Sequence, residues 1–150
     1  MPHVPGLRSP YDRVGGLVYF GRMIDKIRLH AAGKLPEDYH RNVGKGFDMR
    51  CAEHIGLPYD VIVKRALEGG TAEEVLAWCR ENGAPRSEFE IEMWNCFLLK
   101  RGWRDSVSDV VARRIGEYGI TGKPAETFFD LLDYDEGRDP AATQPWRTST

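Results

Sequence analysis

Apolar residues recur every three or four positions along most of this chain, which is the spacing of one face of an α-helix. The segment RVGGLVYFGRMIDKIRLHAAG shows the pattern first, and Gly33 near its end supplies a C-terminal stop. Its apolar positions at this spacing are Leu17, Phe20, Ile24, Ile27 and Ala31. The pattern predicts an amphipathic helix whose other side carries charged residues.

Capping residues mark the starts of two later helices. Thr71 with Glu74, and Ser87 with Glu90, match the Ser/Thr-x-x-Glu pattern in which each side chain satisfies a backbone N–H of the other residue. Glycines predict where these helices end, and glycine or proline bounds the remaining helical segments as well. We expect those segments at about Phe47–His54, after Pro58, after Asp105 or Ser106, and after Pro124.

These elements predict an all-α protein with about six or seven short helices around one core. The run GLVYF is the only short apolar stretch that a strand could occupy, and the helical spacing continues through it. With 150 residues the chain has the length of one domain, to which we assign residues 1–138. Two prolines, small polar residues and no periodicity predict a flexible tail over residues 139–150.

Composition argues against disulfide-rich, zinc-knuckle and membrane-spanning proteins. Three cysteines without a CxxC pair favour reduced thiols over a disulfide framework or a zinc knuckle. The N-terminus lacks the basic and apolar regions of a signal peptide, and no apolar run approaches the length of a membrane span. We therefore expect a soluble, cytoplasmic protein that does not enter the membrane.

Charge is unevenly distributed, although the net charge is only −2. Residues 1–50 contain nine basic and five acidic side chains, whereas residues 51–100 contain five basic and nine acidic ones. Nucleic-acid-binding domains usually carry a basic excess over the whole domain, so the pattern argues against nucleic acid as a partner. Pairing within the chain, or a small anionic ligand near the basic third, accounts for it more simply.

The stretch NVGKGFDMRCAEHIG contains a candidate anion-binding loop. It lacks the GxxxxGK[ST] order and the preceding strand of a phosphate-binding P-loop. Gly44, Lys45 and Gly46 nevertheless lead into a predicted helix, where unpaired N–H groups and the helix dipole favour an anion, with the cation of Arg50 nearby. The competing interpretation is that both glycines only provide permissive backbone angles.

Cys51 and His54 lie three residues apart on the same predicted helix and therefore share a face. The imidazole, or the carboxylate of Asp48, could tune a cysteine nucleophile there. A buried, unreactive thiol is the more common arrangement for a helical cysteine. The histidines show no metal-ligand spacing, so we predict no metal site, and the sequence leaves the identity of any cofactor unknown.

Two other charged clusters lie in the last third of the chain. Arg101 and Arg104 flank Trp103, and an arginine beside an aromatic ring can hold an anion. The carboxylates of DLLDYDEGRD lack the ligand order of a calcium-binding loop. We expect these carboxylates to form a solvated acidic face or to pair with the basic N-terminal third.

Several separate motifs resemble one known family. They are LRSPYDRVGGLVYFGRMIDKIRLHAAGKLP, GKGFDMRC, EEVLAWC, IEMWNCFLLKRGWRD and TFFDLLDYDEGR, and together they extend from about Leu7 to Arg138. They are similar to a bacterial family catalogued as domain of unknown function 5069. The resemblance implies a single cytoplasmic domain and agrees with the helical prediction, but it implies no reaction, cofactor or catalytic residue.

Three functional hypotheses therefore remain open. The first is an all-α module that binds a small anionic ligand or a partner protein, with Lys45, Arg50, Arg101 and Arg104 as anion contacts. The second is a group-transfer or hydrolytic enzyme with Cys51 as its nucleophile. The third is a structural domain that forms a homodimer through exposed aromatic residues.

Overall fold

The computed structural model describes residues 3–148. Within that range, seven α-helices of eight or more residues build most of the fold, which confirms the all-α prediction. None of the helices there is long and apolar enough to cross a membrane. The elements are β1 (Arg13–Val14), β2 (Leu17–Val18), α1 (Phe20–Ala31), a 3-10 helix (Glu37–Asn42), α2 (Phe47–Ile55), α3 (Tyr59–Leu67), α4 (Ala72–Asn82), α5 (Glu88–Lys100), α6 (Ser108–Glu117), α7 (Phe128–Asp135), α8 (Pro140–Thr143) and α9 (Pro145–Thr148).

Both predicted capping boxes are present. The Thr71 hydroxyl accepts a hydrogen bond from the backbone N–H of Glu74 at 3.1 Å, and the Ser87 hydroxyl accepts one from that of Glu90 at the same distance. Gly56 has a left-handed φ of 82° directly after α2, where a stop was predicted. Local sequence therefore determines the starts of α4 and α5 and the end of α2.

The first helix begins later than predicted. It starts at Phe20, and Leu17, which the helical spacing assigned to the helix, belongs to β2 instead. Gly15 and Gly16 have φ angles of 54° and 80°, the backbone of a tight hairpin turn. The side chain of Asn95 in α5 donates to the Gly16 carbonyl at 2.7 Å and so anchors this turn. Two consecutive glycines thus override a helical spacing that continues by coincidence.

The core is organised around α1. This helix packs against α3 and α4, while β2 packs against α5. The side chains that fill the space between these elements include Phe20, Met23, Ile24, Ile62, Val75, Leu76, Leu98 and Phe129. Burial of this contiguous apolar cluster supplies the main stabilising contribution to the fold.

The acidic segment of α7 is buried, so the expected solvated acidic face is wrong for Asp130, Asp133 and Glu136. The alternative, pairing with the N-terminal third, is what the structure contains. Arg22 of α1 lies 2.6 Å from the Glu136 carboxylate, and the Ser9 hydroxyl donates to Asp133 at 3.0 Å. A helix that buries its phenylalanine draws the neighbouring carboxylates inward, and each then needs a hydrogen-bonding partner.

The part of the predicted tail that the structure describes contains the short helices α8 and α9. Gln144 is buried and donates from Nε2 to the Asp130 carboxylate at 2.9 Å. Trp146 meets the Tyr11 ring edge-on at a centroid distance of 5.7 Å. The flexibility of the tail stays a prediction, and its residues 149 and 150 lie outside the described range.

Candidate functional site

The predicted anion-binding loop uses its backbone amides within the chain. The Gly44 N–H donates to the Asp48 carboxylate at 3.0 Å, and the Lys45 N–H donates to the Asn42 carbonyl at 3.0 Å. Gly44 and Gly46 have φ angles of 77° and 57°, so both supply the permissive backbone that the competing interpretation assigned to them. Two backbone N–H groups that could bind an external anion here are therefore already bonded within the chain, one of them to a carboxylate.

Asp48 is therefore an internal partner of α1. Its carboxylate lies 3.0 Å from Lys26 Nζ and accepts a hydrogen bond from the Tyr19 hydroxyl at 2.6 Å. All three side chains are buried. Burial lowers the pKa of Lys26 by more than the charge of Asp48 raises it, so the pKa lies below its ordinary value. Burial, and then the charge of Asp48, raise the pKa of Tyr19. The cluster fixes the start of α2 against α1.

The two cationic side chains assigned to the loop face solvent. Lys45 is exposed, and Arg50 has 62% of its side chain exposed while it pairs with Glu53 at 3.4 Å. An exposed pair of this kind stabilises a protein little, so Arg50 can exchange Glu53 for another anion at low cost.

The structure places Cys51 inside the core, with no exposed surface. Burial, and then the nearby charge of Asp48, raise the pKa of its thiol well above the ordinary value. A thiolate is the reactive form of cysteine, so these surroundings disfavour the nucleophile.

His54 faces a different neighbour from Cys51. Its ring stacks on Trp94 of α5 at a centroid distance of 4.9 Å and an interplanar angle of 15°. Burial, and then the positive charge of Arg86, lower the pKa of the imidazole. His54 is therefore mainly neutral at pH 7, available as a hydrogen-bonding group beside a cation.

Arg101 and Arg104 lie after α5 and each contacts an aromatic ring. Arg101 lies over Phe97 and pairs with Asp105 at 3.2 Å. Arg104 is exposed and lies over the Trp103 ring, 4.8 Å from its centroid. The guanidinium of Arg104 remains accessible to an anion, whereas that of Arg101 is shared with a carboxylate.

A pocket of about 340 Å³ lies between α2, α4 and the start of α5. Its apolar floor comes from four elements of the fold, through Leu17, Ile55, Leu76 and Ile91. His54, Arg80 and Arg86 provide its polar wall, and Ala84 and Pro85 complete the lining. We call this site the arginine pocket. A concave apolar surface with a few convergent polar groups is the usual form of a small-molecule site.

Backbone carbonyls hold both guanidinium groups of the pocket in place. Arg80 donates from Nη2 to the Gly15 carbonyl of the hairpin turn at 3.0 Å. Arg86 donates from Nε to the His54 carbonyl at 2.6 Å and approaches Glu90 at 3.5 Å. These bonds orient the two cations without neutralising Arg80 by a carboxylate.

The loop between α4 and α5 reaches the pocket because it packs closely on the end of α2. The Ala84 N–H donates to the Ile55 carbonyl at 2.9 Å. A Cβ atom added to Gly83 would come within 2.3 Å of that same carbonyl oxygen, so only glycine allows the approach. The contact carries Arg86 to the carboxyl end of α2, beside His54.

Metal binding requires several side chains such as histidine, cysteine or a carboxylate to converge on one ion. Among residues 3–148, no group of three or more histidine, cysteine, aspartate or glutamate side chains is arranged to hold a metal ion.

Of the residues proposed from sequence, only His54 lies in the arginine pocket. Arg80 and Arg86 were missed, because Arg80 resembles any solvated helical charge and Arg86 stands just before a capping serine. The one local hint was the GAPR loop, whose glycine and proline indicate a constrained connection. The roles assigned to Gly44, Lys45, Gly46, Arg50, Arg101 and Arg104 stay predictions.

Comparison with known proteins agrees with the motif-based resemblance. No curated protein and no solved structure matches the chain. The family model described as "Domain of unknown function (DUF5069)" matches residues 4–138, most of the chain. The chain therefore belongs to the DUF5069 family.

Proposed function

We propose that this domain binds a small anionic molecule with an apolar body, and that the molecule occupies the arginine pocket. The observation that carries the proposal is the position of Arg80 and Arg86 at the edge of an apolar floor. The floor would take up the apolar body while the guanidinium groups pair with the anionic group. Guanidinium groups suit this task because their planar donors match carboxylate and phosphate oxygens.

Arg80 is the stronger anion contact of the two. Among the described residues its hydrogen-bonding partner is a neutral carbonyl, that of Gly15, so its full positive charge remains for a ligand. Arg86 divides its donors between the His54 carbonyl and Glu90. We therefore assign anion pairing to Arg80, and assign to Arg86 the additional task of holding the pocket wall.

The size of the pocket limits the ligand. A volume of about 340 Å³ lies at the small end of the range for ligand pockets. It suits a molecule of one or two rings or a short aliphatic chain with a single carboxylate or similar group. The proposal keeps the anionic ligand that the sequence predicted, but it assigns that ligand to the arginine pocket instead of to Lys45 and Arg50.

The competing hypotheses receive less support from the geometry. A cysteine enzyme would require Cys51 to become accessible and to lose its proton, and both burial and Asp48 oppose this. A partner protein could use the same pocket through a carboxylate side chain next to an apolar one. Cytoplasmic location and the lack of a nucleic-acid partner stay part of the proposal.

Calorimetric titration with 1-naphthoate and with the neutral 1-naphthylmethanol tests the proposal. The two compounds share an apolar body and differ in charge. We expect the domain to prefer naphthoate, and Arg80→Ala to weaken that binding by about tenfold or more, since a hydrogen bond to a charged group contributes about 1.5–3 kcal/mol. Arg80 is exposed, so the variant should fold normally.

The matched control is the double variant Lys45→Ala/Arg50→Ala, which removes two exposed cations from the predicted loop. It should leave naphthoate affinity unchanged if the arginine pocket is the site. Loss of affinity in this control with no effect of Arg80→Ala would place the anion at the loop. Equal binding of the neutral compound would refute recognition of the anionic group.

A further inference from the structure

The outer face of α5 carries a row of exposed apolar side chains. Phe89, Met93 and Phe97 are 68%, 56% and 51% exposed and follow one another at intervals of four residues. They lie opposite the buried side of the helix, which contains Leu98 and Leu99. We call this row the α5 stripe. Apolar residues grouped in this way commonly mark a protein interface.

Charge is polarised along the same helix. Glu88, Glu90 and Glu92 lie in its first half, and Lys100 and Arg101 lie at its end. Two such helices in parallel would place like charges side by side. Two in antiparallel orientation would bring the acidic half of each close to the basic end of the other, so the charge distribution favours the antiparallel arrangement.

We propose that the α5 stripe is the contact surface between two copies of this chain, packed antiparallel about a twofold axis through Met93. The stripe reads Phe, Met, Phe at equal intervals, so it has the same order in both directions. Met93 then meets Met93 of the second copy, and Phe89 of each copy meets Phe97 of the other. A surface that complements itself in this way is the property of a twofold interface.

A second copy fits this stripe for two independent reasons. The symmetric spacing lets the apolar residues pack against themselves, and the charge polarity selects one relative orientation. Together these two features favour a second copy of the chain as the occupant of the stripe. The proposal stands apart from ligand binding, because no residue of the α5 stripe lines the arginine pocket.

Cysteine cross-linking tests both the surface and its orientation. In a Cys96→Ser background, which removes the exposed thiol of α5, Met93→Cys should form a disulfide-linked dimer under mild oxidation. Phe89→Cys alone and Phe97→Cys alone should link poorly, because the two copies of a residue four positions from the twofold lie about 12 Å apart along the helix direction. An equal mixture of those two variants should link efficiently.

The opposite pattern would overturn the proposal. Rapid self-linking of Phe89→Cys, with no gain in the mixture, would indicate parallel helices. Absence of linking by Met93→Cys would remove the interface from this surface.

Sedimentation velocity over about a hundredfold range of concentration provides the second readout. Wild-type protein should shift from monomer to dimer, and Met93→Glu should weaken the dimer by about thirtyfold or more, the loss typical of a central interface residue. Leu67→Glu is the matched control, since Leu67 is 51% exposed on α3 and should leave dimerisation unchanged. A wild-type monomer throughout, or a dimer that Met93→Glu leaves intact, would contradict the proposal.

Discussion

The Arg22 guanidinium of α1 donates two hydrogen bonds to the Glu136 carboxylate, at 2.8 Å from Nη1 and 2.6 Å from Nη2. Both side chains are almost fully buried. Glu136 also accepts hydrogen bonds from Tyr39 and Arg138, so three segments of the chain meet at one carboxylate. The pair joins α1 to the residue that follows the end of α7.

We predict that Glu136→Gln lowers the free energy of unfolding by about 3–5 kcal/mol, because it removes the carboxylate that pairs with the buried Arg22 cation. Urea denaturation followed by circular dichroism measures the loss. Arg50→Ala, which removes the exposed pair with Glu53, is the control and should cost less than about 1 kcal/mol. Similar losses in both variants would show that the buried pair has no special role.

The same pair has a consequence for acid stability. Burial raises the pKa of Glu136, but the hydrogen bonds and charge of Arg22 outweigh burial, so the pKa lies below its usual value. The stabilisation is therefore complete above the unfolded pKa, near about 4.3, and is lost as pH falls through the lower folded pKa. Denaturation midpoints measured between pH 7 and pH 3 should fall less steeply for Glu136→Gln than for wild type.

Ligand affinity should depend on pH through His54. Burial and Arg86 lower the pKa of the free imidazole, and a bound anion would raise it again by favouring the charged ring. Binding then takes up a proton, so the affinity for 1-naphthoate should increase as pH falls from 8 toward 5.5. His54→Gln should flatten this dependence in calorimetric titrations. A wild-type profile as flat as that of the variant would remove His54 from the site.

The cysteines should differ sharply in reactivity. Cys96 is exposed, whereas Cys51 and Cys79 are buried and burial raises both of their pKa values, that of Cys79 to about 11. Alkylation by iodoacetamide at pH 7, at a protein concentration low enough to keep the chain monomeric and read by peptide mass spectrometry, should modify Cys96 first and the other two only after denaturant is added. Faster labelling of Cys51 than of Cys96 would revive the enzyme hypothesis.

Replacement of Gly83 should damage both the fold and the pocket. In Gly83→Ala the new methyl would lie 2.3 Å from the Ile55 carbonyl oxygen, a backbone atom that cannot move independently. We expect a loss of at least about 2 kcal/mol in unfolding experiments and weaker binding of 1-naphthoate. Gly116→Ala in α6 is the control, because its methyl would enter open space and should be neutral or stabilising by about 0.5–1 kcal/mol.

Local chemistry explains why much of the fold was predictable. The boxes Thr71 with Glu74 and Ser87 with Glu90 act within four residues, so their sequence is sufficient to locate two helix starts. The hairpin at Gly15 was missed because apolar spacing alone cannot distinguish a coincidence from a helix. The two glycines form the turn, and Asn95, which anchors it, comes from a distant part of the chain.

The candidate site was harder to predict for the same physical reason. Arg80, Arg86 and His54 converge only through tertiary packing, above all through the contact of Gly83 and Ala84 with the end of α2. Each residue alone looks like an ordinary helix or loop position. The burial of Glu136 was equally hidden, since it depends on Arg22, which lies 114 residues earlier in the chain.

Methyl-resolved NMR during titration with 1-naphthoate tests the central claim most directly, because it locates the ligand. The account predicts that the largest shifts fall on the methyl groups of Leu17, Ile55, Leu76 and Ile91, which line the arginine pocket. Shifts centred on Val43 and Met49, beside the loop of Lys45, would contradict it, and so would the absence of shifts at the four pocket methyls.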